Sequence, residues 1–316
     1  AEDDTVSYPW LADVENAFAE RLRQDRLAHA LLLSGPPDLG KVALARAFIA
    51  AALCLEHTFP ACGTCRSCAL DASGAHPDRH IVTFEEHPRT GELRKELVID
   101  QVRRLSASLC LTNSISRRKA ALLYPVEAMN KHTSNALLKT LEEPPGDALI
   151  ILVSDAPSRL SATIRSRCQK LDVRMPDHSK SLDWLHSQNA GLTSGQAELA
   201  LEAAAGSPLR ALRLVEDGGV EACARLNESL DLLLDGRVSV AVVLDALSET
   251  DPAGLWSWMS LRAAEETRMR SRAGAAARDA SELQQQADRN RRLASTPVRK
   301  DLLLRDWLIQ WSRLNS

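Results

Sequence analysis

The chain has 316 residues, more than the ~250 at which a single hydrophobic core normally stops growing, so two or three domains are expected. Hydrophobic residues make up 45% and charged residues 26%, both ordinary for a soluble globular protein, and no apolar run approaches the ~18 residues of a membrane span. The net charge of -3 excludes a general basic surface, so any contact with nucleic acid would need a local patch or an assembly. The acidic first residues lack the pattern of a secretory signal, and we expect a cytoplasmic protein.

The first part of the chain alternates between strand-like and helix-like patterns. An apolar run after His29 enters a glycine- and proline-rich turn, and the residues that follow have apolar side chains at helical spacing. One later helix is predicted to have Asp100 as its N-cap, and another covers residues 134–143 and is stopped by Pro144. Further strands are predicted over residues 80–84, 120–124, 148–153 and 169–173. This alternation predicts a mostly parallel, three-layer α/β domain over residues 1–174.

The remainder of the chain has helical patterns and no convincing strand. Residues 175–217 predict a small set of helices, and residues 218–316 predict a separate helical domain with long amphipathic segments. The Arg- and Ala-rich segment over residues 265–292 is interpreted as a solvated helix pair, with a nucleic-acid patch as the alternative. The last of these segments has an apolar face that comprises Leu302, Leu303, Leu304 and Leu308.

A phosphate-loop motif follows the first predicted strand. In GPPDLGKV, which matches GxxxxGK, Gly35 and Gly40 would let backbone amides wrap a phosphate, and Lys41 would reach its charge. The Ser or Thr that normally follows the lysine is replaced by Val42, so one ligand of the magnesium ion is missing. Two interpretations of Lys41 stay open: a solvated lysine at the start of a helix, and a lysine that binds nucleotide without hydrolysis.

A second deficiency concerns the acidic residue that a P-loop ATPase places at the end of a neighbouring strand. The candidate strand ends in Tyr124 and Pro125, and Glu127, which lies beyond the proline, is a poor replacement. Two independent losses at one site argue against ATP hydrolysis by this chain.

Four of the seven cysteines have the spacing of a metal site. Four thiolates this close in sequence can complete a tetrahedral shell around Zn²⁺ and leave no open position, so we expect a structural zinc. The alternatives are unligated buried cysteines and an iron–sulfur cluster, although the later Cys-Pro of bacterial ferredoxins is absent. Cys110 and Cys223 stand among apolar helical residues and are expected to be packing residues. The predicted ligands are Cys54, Cys62, Cys65 and Cys68.

An arginine in a short motif precedes the last predicted strand. In the sequence Ser166-Arg167-Cys168 the guanidinium has no evident task within the chain, because the chain's own ATP site is degenerate. A surface salt bridge is the ordinary role of such an arginine. The alternative is that it neutralises charge developing on a phosphate bound by an adjacent subunit. An Arg167 turned inward against carboxylates of its own chain would argue against that alternative.

These motifs together resemble the delta-prime subunits of bacterial DNA polymerase III clamp loaders, which are relatives of the gamma/tau ATPase subunit. The segment NALLKTLEEPP, residues 135–145, is nearly identical to a helix shared by that pair. The zinc cysteines, the sequence AHPD at residues 75–78, the SRC motif and the terminal DLLLRDWL agree as well. The resemblance extends over residues 8–316 and is densest up to residue 176.

The resemblance implies three domains and a place in an assembly. The expected fold is a RecA-like AAA+ domain over residues 1–174 with a zinc module inserted at about 54–76, a helical lid over 175–217 and a helical collar over 218–316. The collar would hold a hetero-pentamer with gamma/tau-type and delta-type subunits, which opens a sliding clamp and loads it onto primed DNA. The resemblance implies that the collar contacts other subunits through apolar helix faces, such as that of Leu302, Leu303, Leu304 and Leu308. Within this assembly the chain would be a rigid stator without ATPase activity of its own.

The resemblance also implies roles for individual residues. Arg167, flanked by Ser166 and Cys168, would complete the ATP site of the adjacent gamma subunit, while the chain's own phosphate loop would be empty. Arg210 lies one position later than the arginine with which gamma-like members sense phosphate, so we do not give it that role.

Two other functions stay open from the residues alone. One is an active AAA+ ATPase of the clamp-loader or helicase-loader type. The other is a zinc-dependent nucleic-acid-binding module unrelated to clamp loading, against which the lack of excess basic residues weighs.

Overall fold

The computed structural model describes residues 8–247, 252–272, 274, 277–293 and 299–315. These residues form two compact units, and the chain passes from the first to the second between Met175 and Pro176. No described helix combines the length and the apolar character that are needed to cross a membrane.

The first unit is built on a five-stranded parallel sheet, which confirms the predicted α/β class. The strands are β1 (Ala30–Ser34), β2 (Arg79–Val82), β3 (Ala120–Leu123), β4 (Leu149–Ser154) and β5 (Gln169–Asp172). They pair in the order β2-β3-β4-β1-β5, and every pairing is parallel. The helices are α1 (Ala12–Arg23), α2 (Lys41–Leu53), α3 (Arg66–Ala72), α4 (Ile99–Leu109), α5 (Lys131–Glu142) and α6 (Ala162–Arg167).

The sheet is buried on both faces because its strands are apolar and successive side chains alternate in direction. Leu31 and Leu33 of β1 share one core with Phe48 of α2. Leu32, between them in sequence, packs in the opposite core with Leu137 of α5. Burial of one such side chain contributes about 1.5–3 kcal/mol, so these two apolar layers dominate the stability of the unit.

A fully buried carboxylate lies directly before β2. Asp78 is 0% exposed, and its Oδ1 is 3.3 Å from the ammonium group of Lys119. The carboxylate also accepts hydrogen bonds of 2.8–2.9 Å from the backbone N–H groups of Ser114, Ile115 and Ser116. Burial by itself would raise the pKa of this carboxyl, but these donors stabilise the charged form and lower the pKa to about 2. One carboxylate therefore ties the loop before β3 to the start of β2.

A hydroxyl and imidazole network extends from this carboxylate to the cysteine-rich loop. The hydroxyls of Ser67 and Ser116 donate to the carbonyl of Leu53, at 2.7 and 2.8 Å. Both hydroxyl oxygens then accept from Nε2 of His76, at 2.9 and 3.2 Å. Nδ1 of His76 accepts the N–H of Asp78 at 3.1 Å, so the hydrogen-bond pattern assigns the ring proton to Nε2. Burial lowers the pKa of His76, in agreement with a neutral ring.

The described residues of the second unit form helices. These are α7 (His178–Gln188), α8 (Ser194–Ala203), α9 (Pro208–Glu216), α10 (Gly219–Leu234), α11 (Val240–Ala246), α12 (Pro252–Arg272), α13 (Arg278–Leu293) and α14 (Lys300–Ser312). The indole N–H of Trp307 donates to the carbonyl of Leu283 at 3.0 Å. That of Trp311 donates to the carbonyl of Leu230, also at 3.0 Å. Helices α12 and α13 pack against each other, so the described residues of the segment 265–292 form the predicted helix pair. The pair is not solvated throughout, because Glu266, Ala280 and Leu283 are buried.

Some predicted helix and strand boundaries differ from the observed ones by a few residues. The helix expected to begin at Ser134 begins at Lys131, because the side chain of Asn130 caps it. That side chain accepts the N–H of Thr133 at 3.0 Å. The strand expected at residues 80–84 covers Arg79–Val82 instead, because its pairing with β3 ends at Val82.

Helix α4 differs from the prediction at both ends. Asp100 is not its N-cap, because the N–H of Val98 donates to the side chain of Gln101 at 2.9 Å and closes the first turn earlier. Cys110 was predicted to pack in a core, but it follows the last helical residue, Leu109, and is exposed.

The apolar face predicted to bind other chains is largely covered by this chain. Leu304 is 8% exposed and Leu308 is 0% exposed, and both pack in the helical core of the second unit. Leu302, in contrast, is 52% exposed. The prediction of this face as a contact surface is therefore wrong for the buried leucines, because the other helices of the unit already cover them.

Replacing Asp78 by Asn should lower the free energy of unfolding by about 3–5 kcal/mol, because the buried Lys119 would lose its partner. In the unaltered chain the lowered pKa contributes about 2 kcal/mol above pH 3.8, and this is lost as the pH falls towards 2. Urea unfolding at several pH values measures both effects. As a control, Asp100→Asn removes a carboxylate whose side chain is 72% exposed and should change stability by less than about 0.5 kcal/mol. Equal losses for the two variants would contradict this account.

Candidate functional site

The predicted phosphate loop lies between β1 and α2, at the carboxyl edge of the sheet. Helix α2 begins at Lys41, and Gly40 precedes it with a φ of 81°, a left-handed conformation that glycine adopts without strain. Gly35 is needed for another reason, since a Cβ there would lie 2.1 Å from the carbonyl oxygen of Val173. Both glycines are therefore required by the backbone itself.

The lysine of this loop is paired within the chain. The side chain of Lys41 is 3% exposed, and its Nζ lies 2.7 Å from Oδ1 of Asp155. It also donates to the carbonyl oxygen of Pro36, within the loop. The interpretation of Lys41 as a solvated lysine is therefore wrong. Sequence patterns did not single out Asp155, although its position after a buried parallel strand at the same sheet edge was a usable signal.

The end of β3 carries a tyrosine where an ATPase would have an acidic residue. The hydroxyl of Tyr124 accepts a hydrogen bond from Arg46 at 3.2 Å. Glu127 lies closer to the loop than its place in the sequence suggested, because its Oε1 accepts the N–H of Asp155 at 3.0 Å. Its Oε2 is buried and has no hydrogen-bond partner among the described residues. A second carboxylate thus stands beside the partner of Lys41.

Two aromatic side chains cover part of the loop. A Cβ on Gly40 would lie 2.4 Å from the ring of Tyr8, so the ring packs directly against this glycine. The indole N–H of Trp10 donates to the carbonyl of Leu39 at 3.1 Å, and the two rings stack with centroids 5.1 Å apart. This packing holds the loop against the first described residues, a contact that no sequence pattern indicated.

The four predicted metal ligands converge. Their Sγ atoms all lie within 4.8 Å of one another, and those of Cys62 and Cys68 are 3.8 Å apart. Four sulfurs at about 2.3 Å from a central ion would be about 3.8 Å from one another in a tetrahedron, so the cluster fits a four-thiolate site. Cys54 follows the last residue of α2, and Cys65 is the N-cap of α3, which carries Cys68. Two helix ends therefore position three of the four sulfurs.

Backbone N–H groups are directed at these sulfurs. The N–H of Cys65 donates to Cys62 Sγ and that of Cys68 to Cys65 Sγ, both at 3.4 Å. The N–H groups of Thr64 and Cys65 lower the pKa of Cys62 to about 6. Burial is the largest single effect on Cys65 and opposes its ionisation, but the backbone N–H groups of Cys68 and Leu55 and the thiol of Cys68 together outweigh it and lower the pKa. Burial raises the pKa of Cys68 to about 12, so full ionisation of the cluster would need a bound cation.

Arg167, the last residue of α6, makes an ion pair within the chain. Its Nη2 lies 2.6 Å from Oε1 of Glu142, and its Nη1 donates to the carbonyl of Thr163 at 3.2 Å. The expectation that this guanidinium has no task within the chain is therefore wrong, and its observed role is the surface salt bridge named as the ordinary one. The pairing with a carboxylate of the same chain counts against the alternative role on a neighbour's phosphate. The pair lies at the surface, with the two side chains 35% and 46% exposed, and such pairs contribute about 0–1 kcal/mol.

The residues beside Arg167 have local roles. The hydroxyl of Ser166 donates to the carbonyl of Thr163 at 3.0 Å, one turn earlier in α6. Cys168 is buried in the core, and burial raises the pKa of its thiol to about 11, so the thiol stays protonated at neutral pH. Of the three side chains in the motif, only the guanidinium offers a charge to a ligand.

Known proteins resemble this chain over most of its length. A family model described as DNA polymerase III, delta subunit, matches residues 10–177. The DNA polymerase III subunit delta' of Pseudomonas aeruginosa is 36% identical over 252 residues, which cover 79% of this chain and 74% of that protein. This chain belongs to the DNA polymerase III delta-prime subunit family. The family member of Haemophilus influenzae is 31% identical over 217 residues, which cover 69% of this chain and 64% of that protein.

A solved structure shares the fold of this delta-prime family member. The DNA polymerase III gamma subunit-related protein of Thermotoga maritima matches with a TM-score of 0.51 over 95% of this chain and 99% of that chain. The sequences are 18% identical, so the likeness concerns the fold alone.

Replacing Cys65 by Ser should release bound metal from the freshly purified chain, because a closed four-thiolate site needs all of its ligands. Elemental analysis should fall from about one ion per chain to a small fraction of that, and thermal unfolding should begin at a lower temperature. Cys110→Ser is the matched control, since Cys110 is exposed and outside the cluster. Equal metal content in both variants would contradict a four-cysteine site.

Proposed function

We propose that this chain is a clamp-loader subunit of DNA polymerase III that does not hydrolyse ATP. It would act in the cytoplasm as a stator within a hetero-pentamer of gamma/tau-type and delta-type subunits, which loads a sliding clamp onto primed DNA. The observation that carries the proposal is the end of β3, where Tyr124, bonded to Arg46, stands in place of the acidic residue that hydrolysis requires. Membership in the delta-prime family supports the link to the loader.

The chain lacks two groups that ATP hydrolysis requires. Phosphoryl transfer in a P-loop enzyme depends on a magnesium ion held between the phosphates and on a positioned water. Val42 offers no hydroxyl to the ion, and Tyr124, bonded to Arg46, stands in place of the acidic residue. Without these groups little would offset the charge that develops on the phosphates, so the barrier to hydrolysis would stay high.

The proposed contribution to catalysis is Arg167, acting on a neighbouring subunit. A guanidinium can donate two parallel hydrogen bonds to a phosphate and neutralise charge in the transition state. In this chain the group is held by Glu142 in an exposed pair, and a bound triphosphate carries more negative charge than one carboxylate. The phosphate would therefore compete successfully with Glu142 for the arginine.

We further propose zinc as the ion of the four-cysteine site. Zn²⁺ favours four thiolates in a tetrahedron, and a closed site of this kind supplies folding energy rather than catalysis. Cys54, Cys62, Cys65 and Cys68 would hold it and would fasten the end of α2 to α3. Metal analysis distinguishes zinc from an iron–sulfur cluster.

The helical unit is proposed to serve assembly, with residues 175–217 as a lid and residues 218–316 as a collar. Because Leu304 and Leu308 are already buried, the contact with other subunits would have to use other side chains. Val242 and Leu302, 59% and 52% exposed, are candidates for it.

Replacing Arg167 by Ala in a loader reconstituted with gamma- and delta-type subunits should reduce DNA-stimulated ATP turnover and clamp loading several-fold. A finger arginine supplies ~10³-fold at its own site, and the total rate falls less because other sites keep their own arginines. Phosphate release and clamp loading are measured with intact pentamers. Arg159→Ala, which removes an exposed arginine just before α6, should leave both rates unchanged.

The ion pair supplies a second control for the same experiment. Glu142→Gln removes the partner of Arg167 and should leave the rates equal or slightly higher, because the carboxylate competes with the phosphate. An unchanged rate for Arg167→Ala would refute the role in trans. If Glu142→Gln lowered the rate as much as Arg167→Ala, the pair itself would be the functional element.

The purified chain alone should show no DNA-stimulated ATP turnover above background, and Lys41→Ala should make no difference. Release of inorganic phosphate at saturating ATP measures this. Turnover that Lys41→Ala abolishes would favour the active AAA+ ATPase instead.

A further inference from the structure

The loss of the magnesium ligands would not by itself keep nucleotide out of the phosphate loop. Backbone amides and a lysine can bind the phosphates of a nucleotide without a metal. We infer that Asp155 is an internal anionic ligand of the loop, and that its carboxylate excludes nucleotide by occupying Lys41. This inference rests on the proposed function and deepens it, because it names the residue that closes the loop.

The ammonium group of Lys41 is already used. A lysine attracts phosphate through three donors and one charge, which must be available to the ligand. Here the side chain is 3% exposed, one donor reaches Oδ1 of Asp155 at 2.7 Å, and another reaches the carbonyl of Pro36. A nucleotide would have to displace the carboxylate before it could use the charge.

The backbone that carries this carboxylate is fixed against the loop. The N–H of Asp155 donates to Oε1 of Glu127 at 3.0 Å. The preceding residue, Ser154, ends β4, and its carbonyl accepts the N–H of Gly35 at 3.3 Å. The start of the loop and its lysine are thus both bonded to the end of β4, so the carboxylate is held where it meets Lys41.

The charge of Asp155 opposes a second anion. It already neutralises Lys41, so the ion pair offers a phosphate no net positive charge, and the carboxylate of Glu127 lies beside it. The side chain of Asp155 is 46% exposed, so its charge also acts on a phosphate that approaches from solvent. Removal of this one charge should both free the lysine and weaken the repulsion.

The test is ATP binding by the full-length Asp155→Asn variant, measured by calorimetry in the presence of EDTA. The unaltered chain should show no binding below about 1 mM, and the variant should bind at least roughly tenfold more tightly than that limit. Asp147→Asn is the matched control, because it removes the same charge at the opposite end of β4, where the side chain is 65% exposed. This control should bind no more ATP than the unaltered chain.

Two further variants make the outcome decisive. Asp155→Asn combined with Lys41→Met should lose the gained binding, which would identify the freed lysine as the ligand. Asp155→Ser repeats the test should the Asn variant fail to fold. If no Asp155 variant binds ATP and the unaltered chain does not either, the inference is overturned while the proposed function stands. Tight ATP binding by the unaltered chain would overturn both the inference and the expectation that the phosphate loop holds no nucleotide. The proposed role of Arg167 is tested separately, in the pentamer.

Discussion

The buried carboxylate of Asp78 is the polar interaction on which the arrangement of loops in the first unit depends. A charge removed from water is stable only when donors satisfy it, and here three backbone N–H groups and Lys119 do so. Through His76 the same residue determines where Ser67 and Ser116 stand, and both bond to the end of α2. These hydrogen bonds connect the cysteine cluster to a strand, a helix and a second loop. The geometry of the cluster therefore does not depend on the cysteine-rich loop alone.

The carboxyl edge of the sheet brings together the segments that follow β1, β3 and β4, as parallel strands require. In an ATPase the polar groups at this edge bind the nucleotide and its metal ion. In this chain they satisfy one another: Lys41 pairs with Asp155, and Arg46 bonds to Tyr124. ATP could use Lys41 only after the pair with Asp155 had been broken, which agrees with the proposed role of a rigid subunit.

The Lys41–Asp155 and Arg167–Glu142 ion pairs differ in how far they are exposed to solvent. Lys41 is 3% exposed, so its pair with Asp155 is poorly screened by salt and is backed by the loop carbonyl of Pro36. Arg167 is 35% exposed and its partner Glu142 is 46% exposed, so solvent weakens their attraction. The Lys41 charge is therefore fixed within the fold by burial, whereas the exposed Arg167 charge is the one for which a role on another molecule is proposed.

The amino-acid sequence by itself determined the parallel α/β class, the helical character of the second half, the four-cysteine cluster and the degenerate phosphate loop. These features follow from local periodicity, from spacing along the chain and from the presence or absence of one functional group, such as the hydroxyl missing at Val42. Only the tertiary structure decided that Lys41 faces Asp155, that Arg167 faces Glu142 and that Leu308 is covered. Each of these contacts joins residues that are far apart in the sequence, and local patterns describe only residues that are close together. Which distant residues meet is decided by the packing of the whole unit.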